Sequence, residues 1–113
     1  MAAVNYFEIG SPDPQAARRF YGSLFKWNFG DPDQGYQMIN NGQGGLWDSS
    51  AAGGAHWAIF YVQVDDVQEV IGRAEELGAT VAVPLVDGGS LRFAHLVDPE
   101  GNRFAVWQPK PTV

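Results

Sequence analysis

Hydrophobic and polar residues alternate along two stretches of the chain, and an apolar stripe at helical spacing follows each stretch. "VNYFEIG" at residues 4–10 and "HWAIFYVQV" at residues 56–64 are rich in β-formers and predict strands. The stripes that follow predict amphipathic helices. Their members are Ala17, Phe20, Tyr21, Leu24 and Phe25 in the first helix, and Val67, Val70, Ile71, Ala74 and Leu77 in the second.

The ends of both helices carry recognisable signals. Asp13 predicts the N-cap of the first helix, and Pro14 suits its first position. Asp66, with Glu69 three residues later, predicts the cap of the second helix, and Gly78 predicts its end. Short strand candidates separated by Gly- and Asp-rich turns follow each helix. They are "WNF", "YQMIN" and "GGLW" in the first half, and "TVAVP", "LRFAHLV" and "RFAVWQ" in the second.

The two halves repeat one plan. A shift of 53 residues superimposes the caps and stripes, and it also places Tyr6 on Ile59 and Glu8 on Tyr61. The chain is therefore predicted to be a tandem pair of βαβββ units. Its 113 residues suit a single domain, with one module over residues 1–52 and the other over residues 53–113.

Three segments resemble the vicinal oxygen chelate superfamily, which includes glyoxalase I, extradiol dioxygenases and the bleomycin and fosfomycin resistance proteins. They are "NYFEIGSPDPQAARRFYGSLFKW", "YVQVDDVQEVIGRAEELGATV" and "DPEGNRFAVWQP". The resemblance implies an α+β fold in which paired βαβββ modules form a curved mixed sheet around a cup, with the helices on the outer face. It also implies a homodimer. Proteins with this scaffold have different functions, so the function has to be inferred from the residues of the site.

Composition narrows the classes of partner. The net charge of -6 disfavours nucleic acid and favours a cationic or neutral ligand over a polyanion. The absence of cysteine excludes disulfides, thiol nucleophiles and Cys-ligated metals. There is no apolar run of about 18 residues, which disfavours membrane insertion. The first residues, "MAAVNYFEIG", do not resemble a secretion signal, so we expect a cytoplasmic location.

Alternation along the strands predicts which side chains face the cup. In the second stretch, Ala58, Phe60, Val62 and Val64 form an apolar row that suits the helices, which leaves the opposite row for the cup. A three-residue loop at "DPEGN" with Gly101 in the left-handed conformation would pair Asp98 with Asn102 and fix the register of the last hairpin. Together these arguments predict the ligand-binding residues Tyr6, Glu8, Trp57, Ile59, Tyr61, Phe93, His95, Arg103 and Trp107, with Gln63 on the same row.

The metal site that the resemblance implies lacks suitable side chains. The family's His, Glu or Gln ligands would fall on Tyr6, Ile59, Ala105 and, in poor register, on the region of Gly45. These residues offer no good ligand, so we expect no metal cofactor. A displaced divalent-metal site formed by Glu8, His56 and His95 is the alternative.

Glu8 and His95 are the candidate catalytic residues, because a histidine suits proton transfer and a carboxylate could orient it. The alternative for His95 is a structural hydrogen bond inside the sheet. Glu8 would need a partner in an aromatic surrounding, and that partner could be Arg103 or a ligand. The aromatic residues could stack on a ligand, or they could serve sheet packing or a dimer interface. Arg18 and Arg19 are predicted to lie on a solvated helix face.

These observations predict a metal-free, homodimeric protein that binds a small organic molecule in an aromatic cup, similar to the bleomycin resistance proteins. The alternative is an enzyme: a glyoxalase or other lyase, a dioxygenase, or a metal-independent isomerase or hydrolase that uses Glu8 and His95. A third interpretation is an interaction module with a filled cup. The sequence shows no Ser-His-Asp order and no nucleotide-binding glycine motif in the right context.

Overall fold

The computed structural model describes residues 2–110; Met1 and residues 111–113, which the predicted domain includes, lie outside this range. Along residues 2–110 the chain forms β1 (Ala3–Ser11), α1 (Pro14–Phe25), β2 (Tyr36–Ile39), β3 (Gly44–Asp48), β4 (Trp57–Gln63), α2 (Val67–Glu76), β5 (Thr80–Asp87), β6 (Leu91–Val97) and β7 (Arg103–Pro109). Two compact units divide the chain. The first unit is Tyr6–Ile59, and the second unit consists of the described residues on either side of it. The extent of the predicted domain and modules stays a prediction.

In the first unit the strand order is β2-β3-β1. β3 pairs in parallel with β1 and antiparallel with β2, so the pairing is mixed. Ile9, Ile39 and Leu46 form the buried core, and Ala17 and Tyr21 of α1 pack against it. The first helix is therefore held on its strands by a small apolar cluster.

The predicted stripe of α1 is only partly covered. Phe20, Leu24 and Phe25 are 52–59% exposed, although the helical spacing predicted that they would be buried. The core beneath α1 has three buried residues and is met by Ala17 and Tyr21, so it is too small to cover the whole stripe. The prediction for these three side chains is wrong.

The second unit, which takes in β4 from Phe60 onward, has the strand order β4-β7-β6-β5. β4 and β7 are parallel, whereas β6 is antiparallel to both β5 and β7. Its core consists of Val67, Ile71, Ala94, Leu96 and Val106, packed between α2 and the strands.

Three apolar positions of the predicted second module differ from the prediction. Leu77 is the C-cap of α2, outside the helical turns that pack on the strands, and it is 62% exposed. In β4, Val62 packs against the α2 core as predicted, whereas Ala58 and Phe60 are exposed. Val64, at the end of the same row, also packs against the α2 core. Phe60 instead stacks on Phe104, with ring centroids 6.2 Å apart.

The predicted caps are confirmed. The Asp13 side chain accepts a hydrogen bond from Ala16 N at 3.2 Å, and the Asp66 side chain accepts one from Glu69 N at 3.2 Å. Gly78, directly after α2, has a φ of 101°. These contacts satisfy backbone donors that the first turn of a helix leaves without partners.

The predicted strand "WNF" is reduced to one bridge, between Phe29 and Ile39. The segment has three residues and is followed by Gly30 and Pro32, which favour a turn over a ladder. The first repeat is therefore one full strand shorter than the second. Among residues 2–110, neither α1 nor α2 is long and apolar enough to cross a membrane.

Candidate functional site

A buried carboxylate lies among aromatic residues in the first unit. Glu8 sits on β1, where alternation turns its side chain away from Ile9 and the core under α1, and it is 1% exposed. The Tyr36 hydroxyl donates to Glu8 Oε1 at 3.0 Å, and the Trp57 indole N–H donates to Glu8 Oε2 at 2.9 Å. Each carboxylate oxygen thus has a donor, which offsets part of the cost of burying the group. Glu8, Tyr6, Tyr36 and Trp57 are called the Glu8 cluster below.

Tyr6 extends this cluster. Its hydroxyl lies 2.7 Å from the Tyr36 hydroxyl. Either hydroxyl can be the donor of this bond, and the Tyr6 hydroxyl also lies 3.8 Å from Met38 Sδ. Burial raises the pKa of Tyr6, and the negative charge of Glu8 raises it further, against a lowering by the Tyr36 hydrogen bond. Tyr6 is therefore a neutral phenol at physiological pH.

Two glycines make room for the aromatic side chains. Gly45 lies opposite Glu8 in the β1–β3 register, and a Cβ at Gly45 would collide with the Tyr36 hydroxyl. A Cβ at Gly10 would likewise collide with the Trp57 indole ring. The phenol of Tyr36 thus occupies the space that a side chain at Gly45 would need.

The residues at the positions of the family's metal ligands do not suit a metal ion. At the expected ligand positions, Tyr6 is a neutral phenol engaged by Tyr36, the space above Gly45 is filled, and Ile59 and Ala105 are buried aliphatic side chains. Within residues 2–110, no three His, Asp or Glu side chains form a group that could hold a metal ion. The displaced site predicted as the alternative finds no support there. Metal independence itself stays a prediction.

The second unit contains a separate polar group around His95. The predicted hairpin register is confirmed, with Val97 opposite Arg103, His95 opposite Ala105 and Phe93 opposite Trp107. Gly101 has the predicted left-handed φ, at 94°. The last predicted pair is also present, because Asp98 N donates to Asn102 O at 2.8 Å.

His95 is fully buried and bonded at both ring nitrogens. Arg103 Nη1 lies 3.1 Å from Nδ1, and the Tyr61 hydroxyl lies 3.0 Å from Nε2. The rings of Tyr61 and Phe93 contact the imidazole, with centroids 5.8 and 6.1 Å from its centre. His95, Tyr61, Phe93 and Arg103 are called the His95 cluster below. Both nitrogens have protein partners, which matches the structural alternative for this histidine.

Trp107 belongs to a third polar contact. Its indole N–H donates to Asn5 Oδ1 at 3.1 Å, and Asn5 Nδ2 donates to Gln63 Oε1 at 2.7 Å. Gln63 and Trp107 are also paired in the β4–β7 register. Trp107, a predicted ligand-binding residue, therefore donates a hydrogen bond within the second unit, and this contact was not predicted from the sequence.

The predicted site residues fall into the two units as follows: Tyr6, Glu8, Trp57 and Ile59 in the first, and Tyr61, Phe93, His95, Arg103 and Trp107 in the second. Whether Glu8 and His95 act together stays a prediction. Tyr36 was missed, although its strand "YQMIN" was predicted. Applying alternation to that strand would have separated Tyr36 and Met38 from the buried Gln37 and Ile39.

Comparison with known proteins places the chain in a family. Residues 6–107 match the Glyoxalase-like domain. The chain belongs to this family. Membership places the glyoxalase-like chain in the vicinal oxygen chelate superfamily, as its motifs indicated.

Two relatives of this glyoxalase-like chain illustrate the range of the family. CFP32 of Mycobacterium bovis, a provisionally assigned glyoxylase, is 31% identical over 116 residues, covering 92% of this chain and 44% of that protein. The anthracycline biosynthesis protein DnrV of Streptomyces peucetius is 29% identical over 132 residues, covering 94% and 46%. The glyoxalase-like chain thus spans less than half the length of these relatives.

Solved structures share the fold. The Mn(II)-bound glyoxalase of Novosphingobium aromaticivorans has a TM-score of 0.62 at 15% identity, covering all of this chain and 43% of that one. Methylmalonyl-CoA epimerase of Streptomyces coelicolor, in complex with 2-nitronate-propionyl-CoA, has a TM-score of 0.61 at 15% identity, covering 96% and 97%. The predicted fold class, α+β with tandem βαβββ modules, is confirmed, with the shortened first repeat noted above.

Proposed function

We propose that this glyoxalase-like protein binds a small organic molecule at the Glu8 cluster without a metal ion. The observation that carries the proposal is the buried Glu8 carboxylate, held by Tyr36 and Trp57 among aromatic rings. A buried charge is costly, and it persists where its surroundings provide hydrogen bonds. A fold that needed only packing at this position would be served by an apolar side chain.

The charge pattern supports a ligand that is cationic or donates hydrogen bonds. The negative charge of Glu8 acts on the Tyr6 hydroxyl and raises its pKa, so negative potential extends to the outer phenol of the cluster. Aromatic faces also attract cations. An alkylamine that carries an aromatic ring, which is a cation at neutral pH, combines these features.

The experiment is a titration with three probes of similar size: benzylamine, benzyl alcohol and benzoate, followed by tryptophan fluorescence and by protein NMR shifts. We expect benzylamine, which is a cation at neutral pH, to bind most tightly and benzoate to bind least. Glu8→Gln combined with Trp57→Ala should abolish the binding. Glu75→Gln, an exposed change on α2, is the matched control. Equal binding of the three probes, or unchanged affinity in the double variant, would refute the assignment.

Metal independence has its own measurement. Protein purified without chelator and equilibrated with zinc, manganese, iron, nickel and cobalt is expected to retain less than a stoichiometric amount of any of them in elemental analysis. About one tightly held ion per chain would contradict the proposal and favour a metal-dependent lyase or dioxygenase.

The proposal includes a cytoplasmic homodimer with no nucleic-acid or membrane partner. The exposed side chains of Phe20, Leu24 and Phe25 support an interface between copies, because isolated chains seldom leave adjacent large apolar groups in water. Light scattering after size exclusion is expected to give twice the chain mass. The double variant Phe20→Ser and Leu24→Ser is expected to give the mass of one chain, whereas the control Leu85→Ser is expected to give the mass of two. A wild-type protein with the mass of one chain would refute the proposed homodimer.

A further inference from the structure

One face of α1 carries polar side chains around an open depression. Gln15, Arg18, Arg19, Gly22 and Ser23 line this depression, which has a volume of about 440 Å³. These residues follow one another at intervals of three and four positions, so they share one face of the helix. None of the apolar side chains proposed for the dimer interface belongs to this set. The five lining residues are called the Arg18 stripe below.

The two helices differ in charge. α1 contains Arg18 and Arg19 and no acidic residue, whereas α2 contains Arg73 and three glutamates. In the part of the chain that the structure describes, Arg18 and Arg19 form no ion pair with a carboxylate. Although the whole chain has a net charge of -6, two adjacent cations of this kind create a local positive potential. This face of α1 therefore attracts anions.

Arg18 is held in place although it is exposed. Its Nη1 donates to Gln37 Oε1 at 3.3 Å, and its Cζ lies 5.9 Å from the centroid of the Phe29 ring. Gln37 is only 6% exposed, so a buried side chain of β2 holds a guanidinium at the surface. A side chain that is already held loses less conformational freedom when it binds a ligand.

Gly22 leaves space in the middle of the stripe. A glycine inside a helix is less favourable than an alanine. Packing does not require glycine here, because a Cβ at Gly22 would lie 3.6 Å from the Trp27 carbonyl oxygen and 3.7 Å from Phe29 Cε1, which are ordinary contact distances. The missing side chain keeps the depression open beside the ring that Arg18 contacts.

From these observations we propose that the Arg18 stripe binds a phosphate group, either as the free anion or esterified to a small molecule. Guanidinium groups match the oxygens of a phosphate with pairs of N–H donors. The amide of Gln15 and the hydroxyl of Ser23 supply further donors on the same face. A phosphate dianion uses more of these donors than a carboxylate, which has two oxygens and a single charge. The site is separate from the Glu8 cluster and does not depend on the ligand proposed there.

The proposal is tested by titration with inorganic phosphate, phenyl phosphate and acetate, with sodium chloride keeping the ionic strength constant. The arginine Nε–H signals and the backbone amide of Ser23 are followed by ¹H–¹⁵N NMR. We expect saturable shifts at Arg18 and Arg19 with both phosphates and an affinity for acetate that is lower by about fivefold or more. Tighter binding of phenyl phosphate would indicate an ester as the ligand, and tighter binding of inorganic phosphate would indicate the free anion. Shifts that do not saturate, or an equal affinity for acetate, would overturn the proposal.

Substitution of the arginines tests which charges bind the phosphate. Arg18→Gln and Arg19→Gln are each expected to weaken binding by roughly five- to tenfold, the range of a charge-assisted hydrogen bond at an exposed site. Arg73→Gln removes the same charge from the exposed face of α2 and is expected to leave the affinity unchanged. An equal loss in Arg73→Gln would show that net charge determines the affinity, and it would refute the site.

Gly22→Ala separates binding from stability. The new methyl group would occupy part of the depression and is expected to weaken phosphate binding, while the midpoint of thermal unfolding rises because alanine favours a helix. Gly72→Ala, which also has open space, is expected to raise the midpoint in α2 and to leave phosphate binding unchanged. An unchanged phosphate affinity in Gly22→Ala would refute the role of the depression.

Gln37 is a positioning residue for Arg18. Gln37→Leu is expected to weaken phosphate binding in the wild-type background and to have no further effect in the Arg18→Gln background, because Gln37 acts through Arg18. Equal losses in both backgrounds would show that Gln37 does not act through Arg18. The two sites can also fail independently. Glu8→Gln is expected to leave phosphate binding unchanged, and the variant with both Arg18→Gln and Arg19→Gln is expected to leave benzylamine binding unchanged.

Discussion

The indole N–H of Trp57 donates a 2.9 Å hydrogen bond to Oε2 of Glu8, across 49 positions of sequence. The bond joins the first residue of β4 to the middle of β1 within the first unit. Trp57 also closes over Gly10, where a larger residue would collide with its ring. One aromatic side chain thus both covers a strand and satisfies a buried acid.

We expect Trp57→Phe to destabilise the protein by about 1–3 kcal/mol, because it removes a donor from a buried carboxylate oxygen. The loss should be smaller in a Glu8→Gln background, where the group left behind is neutral. Denaturant unfolding of the two single variants and the double variant gives the coupling energy. Trp27→Phe, in the aromatic cluster of the same unit, is the control for loss of ring size. Additive free energies would show that the two residues do not interact.

Gly45→Ala is expected to destabilise the protein by about 1–3 kcal/mol, since its new methyl group would overlap the Tyr36 hydroxyl. The cost should fall in a Tyr36→Ala background, although the Tyr6 hydroxyl would still lie close to the new methyl group. Gly72→Ala is the control, because α2 has open space at Gly72 and alanine favours a helix by up to about 1 kcal/mol. Thermal or denaturant unfolding measures all three changes. A Gly45→Ala protein as stable as the wild type would contradict the close approach of Tyr36.

The raised pKa of Tyr6 predicts a loss of stability in alkali. The unfolded chain releases the Tyr6 proton near the ordinary value of 10.0, before the folded protein does. Between these two pKa values the unfolded state binds fewer protons, so the free energy of unfolding falls as the pH rises. Glu8→Gln removes the negative charge that raises the pKa, and it should lower the Tyr6 pKa in an absorbance titration of tyrosinate. Tyr6→Phe is the assignment control. A Tyr6 pKa that Glu8→Gln leaves unchanged would refute the electrostatic link.

Gln108 is expected to stabilise the start of α2. Its Oε1 accepts from Val67 N at 2.8 Å, and its Nε2 donates to Asp65 O at 3.2 Å. Val67 N is one of the helix donors that lack an intrahelical partner. Gln108→Ala should cost about 1 kcal/mol in denaturant unfolding, and Gln68→Ala, an exposed change in the first turn, should cost less. If both variants lose the same free energy of unfolding, the hydrogen bonds of the Gln108 side chain do not stabilise α2.

Local sequence signals predicted the features that depend on neighbouring residues. The helix caps at Asp13 and Asp66 and the last hairpin required only short-range patterns, because a cap and a turn are determined within a few residues. The pairing of His95 with Ala105 followed from the conformation of Gly101. Alternation then assigned His95 and Arg103 to one face, where the structure brings their side chains within 3.1 Å.

Features that depend on how much surface a partner element covers were not predictable. The stripe of α1 indicated burial of Phe20 and Leu24, but spacing alone does not give the area of the core beneath the helix. The contact of Tyr36 with Glu8 depends on a glycine 37 positions after Glu8 that leaves room for a phenol. A sequence indicates that Gly45 is small, and it does not indicate which side chain fills the space.

Glu8 and Tyr61 occupy equivalent positions in the two repeats, each in a parallel pair, Glu8 with Gly45 and Tyr61 with Ala105. Yet Glu8 accepts hydrogen bonds from phenol and indole groups, whereas the Tyr61 hydroxyl is bonded to the imidazole of His95. If the repeats arose by duplication, the strands have kept their frame while the same position has come to hold a carboxylate in one copy and a phenol in the other. A protein with two identical halves would carry the same polar group twice, and this divergence has given each half its own set of buried hydrogen bonds.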